Sequence, residues 1–448
     1  MSRKEAPRIV RHAPESTRAC LPWRAPLVAC VVALAASIGD AAEKMSAAHA
    51  SIRAADAGRH VGVLADDVYE GREGGSRGGR AAAAYIVDEL TKLGVEPAGD
   101  AGSYYQAFGS MRNILATVKG SDPELANELV VVGAHYDHVG YGNADNSYGP
   151  FGFVHNGADD NASGVAGLLE IAEAIGHLPE RPRRSILIAF WDGEEKGLLG
   201  SYHFLRVRPA ALAASKVVFS INMDMIGRLR DQRLEVYGTR TAAGLREAVI
   251  QANNRPSHGA GLDLAFVWDI EDDSDHYPFI AAKIPTVMFH TGLHDNYHRP
   301  SDDVHLLNID GIEPVVRLAL GFVTALAGDP EPLPPFREDS RNESNATRNR
   351  IEAAVPDTDA SPRGRWGIGT RRDPGEPSMP VVVRVWRESP AAIGGLRTGD
   401  RILTIDGARI ASQDDMISRL GTAGDRVTID VERRGRVARL TFDQPSSR

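Results

Sequence analysis

LVVVGAHYDHVG, residues 129–140, joins an unbroken apolar run directly to a group of metal-capable side chains. The run 129–134 has no polar member to face water, which is the pattern of a strand buried on both faces. His135, Asp137 and His138 follow at once, so chemistry sits at the end of that strand. The same order of parts recurs along the chain. SILIAFW (185–191) precedes Glu194-Glu195, VVFSIN (217–222) precedes Asp224, and IPTVMF (284–289) precedes the stretch from His290 to His298. Helical periods lie around them. Val165, Leu168, Leu169, Ala172 and Ile175 share one face, and Ile312, Val315, Val316, Ala319, Leu320 and Val323 another. Residues 62–94 read as a helical entry in which SRGGRAAAAYIVDELTKLG closes on Gly94. This alternation implies an α/β fold, a mostly parallel twisted sheet covered by helices. Open sheets of that kind place their ligand sites at the C-terminal ends of the strands.

Five side chains in those places form a ligand set: His135, Asp160 in GADDNASG, Glu195, Asp224 and His298. Five nitrogen and oxygen donors are too many for one tetrahedral zinc; they suit two zinc ions sharing a carboxylate, with positions left open. Each motif also has a plainer reading. Asp137 could cap a polar turn, Asp159-Asp160 could cap the helix that follows, and Glu194-Glu195 could be the solvated start of a helix. Under the metal reading Asp160 bridges, because its stretch falls between the other ligands in sequence. Neighbouring residues point different ways, so Glu195 ligates while Glu194 serves as general base. Asp137 accepts the free ring N–H of His135 and fixes its tautomer, and His138 is structural. His290, His294 and His298 are spaced by four, yet Gly292 argues for a loop, so that spacing is weak evidence.

The chain has 448 residues and a net charge of −9. Residues 1–24 carry six Lys/Arg, and 25–36 (APLVACVVALAA) are wholly apolar. Twelve residues are too short to span a bilayer but suit an export signal ending near Ala41 or Ala42. Residues 1–42 therefore read as an export signal, giving a periodic expectation of a periplasmic or secreted protein with no stable membrane span after its removal. Both cysteines, Cys20 and Cys30, fall inside it. A mature protein without thiols excludes cysteine catalysis and Cys-ligated zinc. Removing six basic and three acidic residues takes −9 to −12. Residues 329–448 hold 20 Arg against 19 Asp/Glu, so the acidity belongs to the middle of the chain. That argues against nucleic acid and suits a cationic ligand such as a free α-amine. Residues 43–328 make the main domain, and 329–362, polar and Pro-rich, have the composition of a flexible linker. Residues 363–446 hold short strands at 381–386, 401–407, 426–433 and 436–442, a small mainly-β domain.

Residues 60–328 resemble the co-catalytic di-zinc exopeptidases, the family of bacterial leucyl and aminoacyl aminopeptidases, glutamate carboxypeptidase and glutaminyl cyclase. The resemblance rests on the five motifs in order. It implies that His135 and Asp224 hold one zinc, Glu195 and His298 the other, and that Asp160 bridges. It places Glu194 on the family's general base and Asp137 on its His-orienting carboxylate. It puts a cis peptide at Asp160–Asn161, and Ser274-Asp275-His276 on a motif lining the pocket, with Asp275 a polar pocket residue. The C-terminal domain resembles a bacterial PDZ domain. Arg365-Trp366-Gly367-Ile368-Gly369 stands at that family's carboxylate-binding loop, with Gly367, Ile368 and Gly369 as peptide-binding residues, and SPAAIGGLRTGDRILTIDG (389–407) is its most recognisable stretch. PDZ domains hold the C-termini of peptides and proteins by adding a strand to a sheet edge. The expected function is thus an exported zinc-dependent aminopeptidase acting on peptides with a free N-terminus, through a metal-bridging water and Glu194. The alternatives are a glutaminyl cyclase-like or carboxypeptidase-like activity on the same scaffold, or a catalytically silent PDZ-bearing binding protein.

Overall fold

The computed structural model describes residues 45–255, 259–356 and 364–444. The expected export signal, with Cys20, Cys30 and the cleavage edge, lies outside the described residues. Nine strands build the main sheet: β1 (Glu96–Pro97), β2 (Tyr105–Phe108), β3 (Met111–Val118), β4 (Glu128–His135), β5 (Ser185–Trp191), β6 (Lys216–Met223), β7 (Arg233–Tyr237), β8 (Asp263–Phe266) and β9 (Thr286–His290). Their order is β1-β3-β5-β4-β6-β9-β7-β8, with β2 paired to β3. The centre, β5-β4-β6-β9, is parallel, as the apolar runs predict. Antiparallel pairs flank it at β3/β5 and β7/β9.

Two apolar cores explain why β4 is apolar from Leu129 to Ala134. Val130, Val132 and Ala134 face one core, under the helices Ala54–Leu64, Gly164–Gly176 and Ile309–Gly328. Leu129 and Val131 face the other, with Phe204, Leu212 and Phe279. Each such side chain contributes about 1.5–3 kcal/mol by leaving water. The helix Ile309–Gly328 is long and apolar enough to cross a membrane, but its apolar residues are spent in this core. Helix Arg77–Lys92 starts where Ser76 Oγ accepts the Gly79 N–H and ends at Gly94, whose φ of +69° suits glycine.

The PDZ-like domain is an antiparallel sheet of six strands: β10 (Ile368–Arg371), β11 (Val381–Val385), β12 (Arg401–Ile405), β13 (Ala408–Arg409), β14 (Arg426–Arg433) and β15 (Arg436–Asp443). Its own core holds Val382, Ile402, Ile429, Val431, Met416 and Phe442.

One expectation is corrected. The segment 329–362 is expected to be a flexible linker, yet its described part, 329–356, carries short helices at Glu338–Asn342 and Asn345–Glu352 and is bonded to the main domain. Its polar residues pair with one another and with the main domain. Arg337 reaches Glu343 at 3.0 Å and the Arg240 carbonyl at 2.8 Å, the Asn345 N–H donates to Asp269 at 3.1 Å, and the Glu331 carbonyl accepts from Arg184 at 2.6 Å. Polar composition here reflects pairing instead of solvation. Residues 357–363 lie outside the described residues.

Candidate metal centre

Parallel pairing brings the ends of β5, β4, β6 and β9 together, with His135 level with Trp191 and Gly133 with Asn222. His135 is the last residue of β4, Asp224 follows β6 directly, and Glu194-Glu195 stand in the turn after β5. Asp160 lies in the helical turn 158–163, and His298 in the loop after β9. The Asp160–Asn161 peptide is cis. All five ligand residues meet in one place.

Asp160 divides its carboxylate. Oδ1 lies 3.4 Å from His135 Nε2, and Oδ2 lies 3.1 Å from His298 Nε2. His135 Nε2 is also 3.4 Å from Asp224 Oδ1, and His298 Nε2 is 3.1 Å from Glu195 Oε2. Two donors on one tetrahedral zinc, each about 2.0–2.1 Å from it, stand about 3.3–3.4 Å apart. The donors therefore sort into two sets that share the Asp160 carboxylate, His135–Asp160–Asp224, and His298–Asp160–Glu195 with His138 close beside it.

The surroundings distinguish adjacent candidates. Asp159 turns away: its Oδ1 accepts the Gly227 N–H at 2.6 Å and its Oδ2 faces His294 at 3.2 Å. Neither residue caps the next helix, whose cap position is Ser163. Of the three histidines spaced by four, His298 alone reaches the cluster. His138 is fully buried, with Nδ1 2.7 Å from Glu195 Oε1. That is too short for two ligands of one zinc and right for an N–H donating to the carboxylate. His138 thereby holds the oxygen of Glu195 that His298 does not face.

Asp137 differs from expectation in how it acts. His135 Nδ1 lies 3.2 Å from the Asp137 main-chain carbonyl, while the carboxylate stands 3.8 Å off. The carboxylate instead accepts the Glu194 N–H at 3.1 Å, which fixes the turn bearing Glu194. The side chain is drawn to the amide because His135 already has the carbonyl. Asp275 also differs. It turns beneath the pocket, where Ser201 donates to it, and Ser274 lines the cavity in its place.

Other residues carry no signal in sequence spacing. Ser274 donates to Asp224 Oδ2 at 2.6 Å, leaving Oδ1 toward His135. Asp302 Oδ2 accepts the N–H groups of Asp159 and Asp160 at 2.9 and 3.1 Å. Arg72, wholly buried beneath the site, donates to the carbonyls of Leu64, Tyr136, Asn156 and Gly157, tying the loops together. Most of their partners lie far away in sequence, Leu64 excepted.

The electrostatics call for cations. Burial works against ionisation of Glu195, and Asp160 adds to it, yet hydrogen bonds from His138 and His298 hold its carboxyl down at about 2. Burial lowers His298, but Asp160 and Glu195 outweigh it and raise the imidazole to about 11. Glu194, 9% exposed, is pushed well above the usual carboxyl range by burial, then by Glu195, Asp275 and Asp224, against the pull of His135.

A cavity of about 200 Å³ opens beside these groups. Met225, Met288 and Leu293 supply apolar wall, Glu271, Asp273 and Ser274 a polar one, and no Lys or Arg lines it. Tyr297 stacks on His298 at 3.9 Å. The arrangement can hold two cations beside a pocket suited to a cationic group.

Comparison with known proteins agrees. The model described as Peptidase family M28 matches residues 113–323, and that of the PDZ domain residues 364–443. Among curated proteins, Leupeptin-inactivating enzyme 1 of Streptomyces exfoliatus is 31% identical over 175 residues, 39% of this chain and 34% of its own length. Aminopeptidase YwaD of Bacillus subtilis is 29% identical over 193 residues, covering 42% and 38%. The probable lipoprotein aminopeptidase LpqL of Mycobacterium tuberculosis is 26% identical over 338 residues, covering 64% and 62%. The chain thus spans between a third and two thirds of these relatives' lengths. The LapA aminopeptidase of Legionella pneumophila shares the fold, with a TM-score of 0.54 and 20% identity over 64% of this chain and 76% of that one. The match thus assigns the stretch 113–323 to peptidase family M28 and the stretch 364–443 to the PDZ domains.

Proposed function

We propose that the chain is an exported zinc-dependent aminopeptidase that removes N-terminal residues from peptides. The observation that carries this reading is the divided carboxylate of Asp160, which faces His135 with one oxygen and His298 with the other. His135, Asp160 and Asp224 would hold one zinc ion, and Asp160, Glu195 and His298 a second. Bound zinc supplies Lewis acidity at the scissile carbonyl and lowers the pKa of a water. The chain's own residues do the rest. Glu194 takes the proton of the attacking water and delivers it to the leaving amine. Asp137 holds Glu194 through its amide, Ser274 and His138 aim Asp224 and Glu195, and Met225, Met288 and Leu293 keep water from the bound side chain. A pocket lined by Glu271 and Asp273, without Lys or Arg, favours a substrate α-ammonium over a terminal carboxylate. That charge pattern separates the aminopeptidase reading from a carboxypeptidase. The export signal at 1–42, a main domain over 43–328, a PDZ domain over 363–446, and the periplasmic or secreted location belong to the same proposal.

Chelation tests it. Dialysis against a chelator is expected to abolish hydrolysis of aminoacyl-nitroanilides, and zinc to restore it. Acetylated substrates should be refused, and N-terminal Gln should be released without cyclisation. Full activity in metal-free protein would remove the metals from the mechanism.

The PDZ domain is proposed to bind peptide C-termini. β10 lies at the edge of its sheet, and a groove of about 330 Å³ runs between it and the helix Gln413–Thr422, lined by Gly367, Ile368, Met416 and Leu420. Gln413 Nε2 already donates to the Thr370 carbonyl at 2.9 Å across the groove, a bond that an added strand must displace. Full-length protein should retain members of a C-terminal peptide library, and amidating those termini should release them. Equal retention of amidated peptides would refute carboxylate recognition.

A further inference from the structure

Among the bonds that join the PDZ domain to the peptidase domain are those of two buried guanidinium groups, Arg240 and Arg246. Arg240, which follows β7 and is 2% exposed, donates through Nη1 to Asp373 of the PDZ domain at 2.7 Å. Through Nε and Nη2 it donates to Glu343 of the connecting segment at 2.6 and 2.9 Å. Its third contact is inward: the guanidinium carbon lies 3.9 Å from the centre of the Trp268 ring, within cation–π range. Trp268 is itself 2% exposed, and its N–H donates to Asn345 at 3.2 Å. Just upstream, the guanidinium of Arg246 sits 4.1 Å over the ring of Phe266 while pairing with Glu432 of the PDZ domain at 2.9 Å.

What these contacts clamp is the strand that becomes the substrate pocket. β8 ends at Phe266, Trp268 follows, and within six residues the chain supplies Glu271, Asp273 and Ser274 to the cavity wall. Ser274 then donates to Asp224, one of the metal-facing carboxylates. Glu271 and Asp273 are exposed and lie between two anchors, Trp268 and Asp269 held by Asn345 on one side and Ser274 held by Asn222 and Asp224 on the other.

We propose that Arg240 is a positioning residue for this pocket wall, so that the PDZ domain and the segment 337–352 are parts of the substrate-binding architecture and not a tethered module. Resting on the aminopeptidase reading, the inference assigns the PDZ domain a second role that does not require its groove to be filled. The brace is static: it holds one arrangement of residues 267–274, and its loss lets that stretch move, weakening substrate binding while the metal ligands stay in place.

The test is Arg240→Gln in the full chain. Expected are a rise in KM for aminoacyl-nitroanilides of about tenfold, a kcat within about twofold, and unchanged zinc per chain. Arg240→Lys, which keeps the charge but not the fork that grips Glu343 and Asp373, should restore part of the KM. A merely structural role would lower the active fraction, and so the apparent kcat, at constant KM; that result overturns the proposal. Hydrogen–deuterium exchange gives a readout independent of catalysis. Amides 267–274 should exchange faster in Arg240→Gln while those of β4 do not, and equal exchange at 267–274 overturns the inference even if the parent chain proves to hydrolyse nothing. Should Arg240→Gln not unfold cooperatively, Glu343→Gln decides by the same two measurements.

Discussion

Glu194→Gln is expected to lower kcat by about 10²–10⁴-fold, the range that a positioned general base contributes, with KM and zinc content unchanged. The substitution keeps the shape of the side chain and the N–H that donates to Asp137 at 3.1 Å, so the turn after β5 is preserved. It removes the ability to take a proton. Glu195, the next residue, already uses both oxygens, one toward His138 and one toward His298. It cannot stand in as base without abandoning a donor set. Glu194 lies in the same nest, within 4.8 Å of His135 and Glu195, so a rival role as ligand is open to the same experiment. Steady-state kinetics and elemental analysis on one preparation separate the two. A variant that loses a zinc ion moves Glu194 into the ligand set, and a variant with undiminished kcat removes it from the chemistry.

Physical reasons divide what the sequence discloses from what it hides. β4, β5, β6 and β9 are legible because they are buried on both faces, so hydrophobicity alone marks them. β7 and β8 alternate between buried and half-exposed residues over four or five positions, too short a run to stand out. The helix Asn345–Glu352 buries none of its residues and so leaves no apolar period to detect. At the site, residue type and position after a strand identify His135, Glu195, Asp224 and His298 as a group. The roles of adjacent pairs are another matter. Asp159 and Asp160 are chemically equivalent until Gly227 and His294 claim the first. Asp137 is a carboxylate two residues from a histidine, yet the main-chain carbonyl beside it is closer to that ring. Arg72 lies more than sixty residues before the first candidate ligand, and its four carbonyl partners follow from tertiary packing.

Asp160→Asn should cost the protein both metal ions and reduce hydrolysis to background, a larger loss than any other single ligand change. Asp224→Asn removes one donor from one set and leaves Asp160, Glu195 and His298 together, so about one zinc ion should remain. Asp160 belongs to both sets, through different oxygens. Its amide would turn an N–H₂ toward one histidine, cutting that set to two protein donors, and leave the other set a third donor only as an uncharged oxygen, a far weaker zinc ligand than a carboxylate. Two protein donors fall short of the three that catalytic zinc sites provide. Zinc bound by the native state also raises its stability by mass action, so the parent chain should melt at a higher temperature as free zinc increases, and Asp160→Asn should not. Elemental analysis after gel filtration, paired with thermal unfolding across a zinc titration, measures both effects. Two zinc ions retained by Asp160→Asn would mean that the divided carboxylate does not bridge. The short distances on either side of it would then record histidines neutralising a buried acid and not a cradle for two cations.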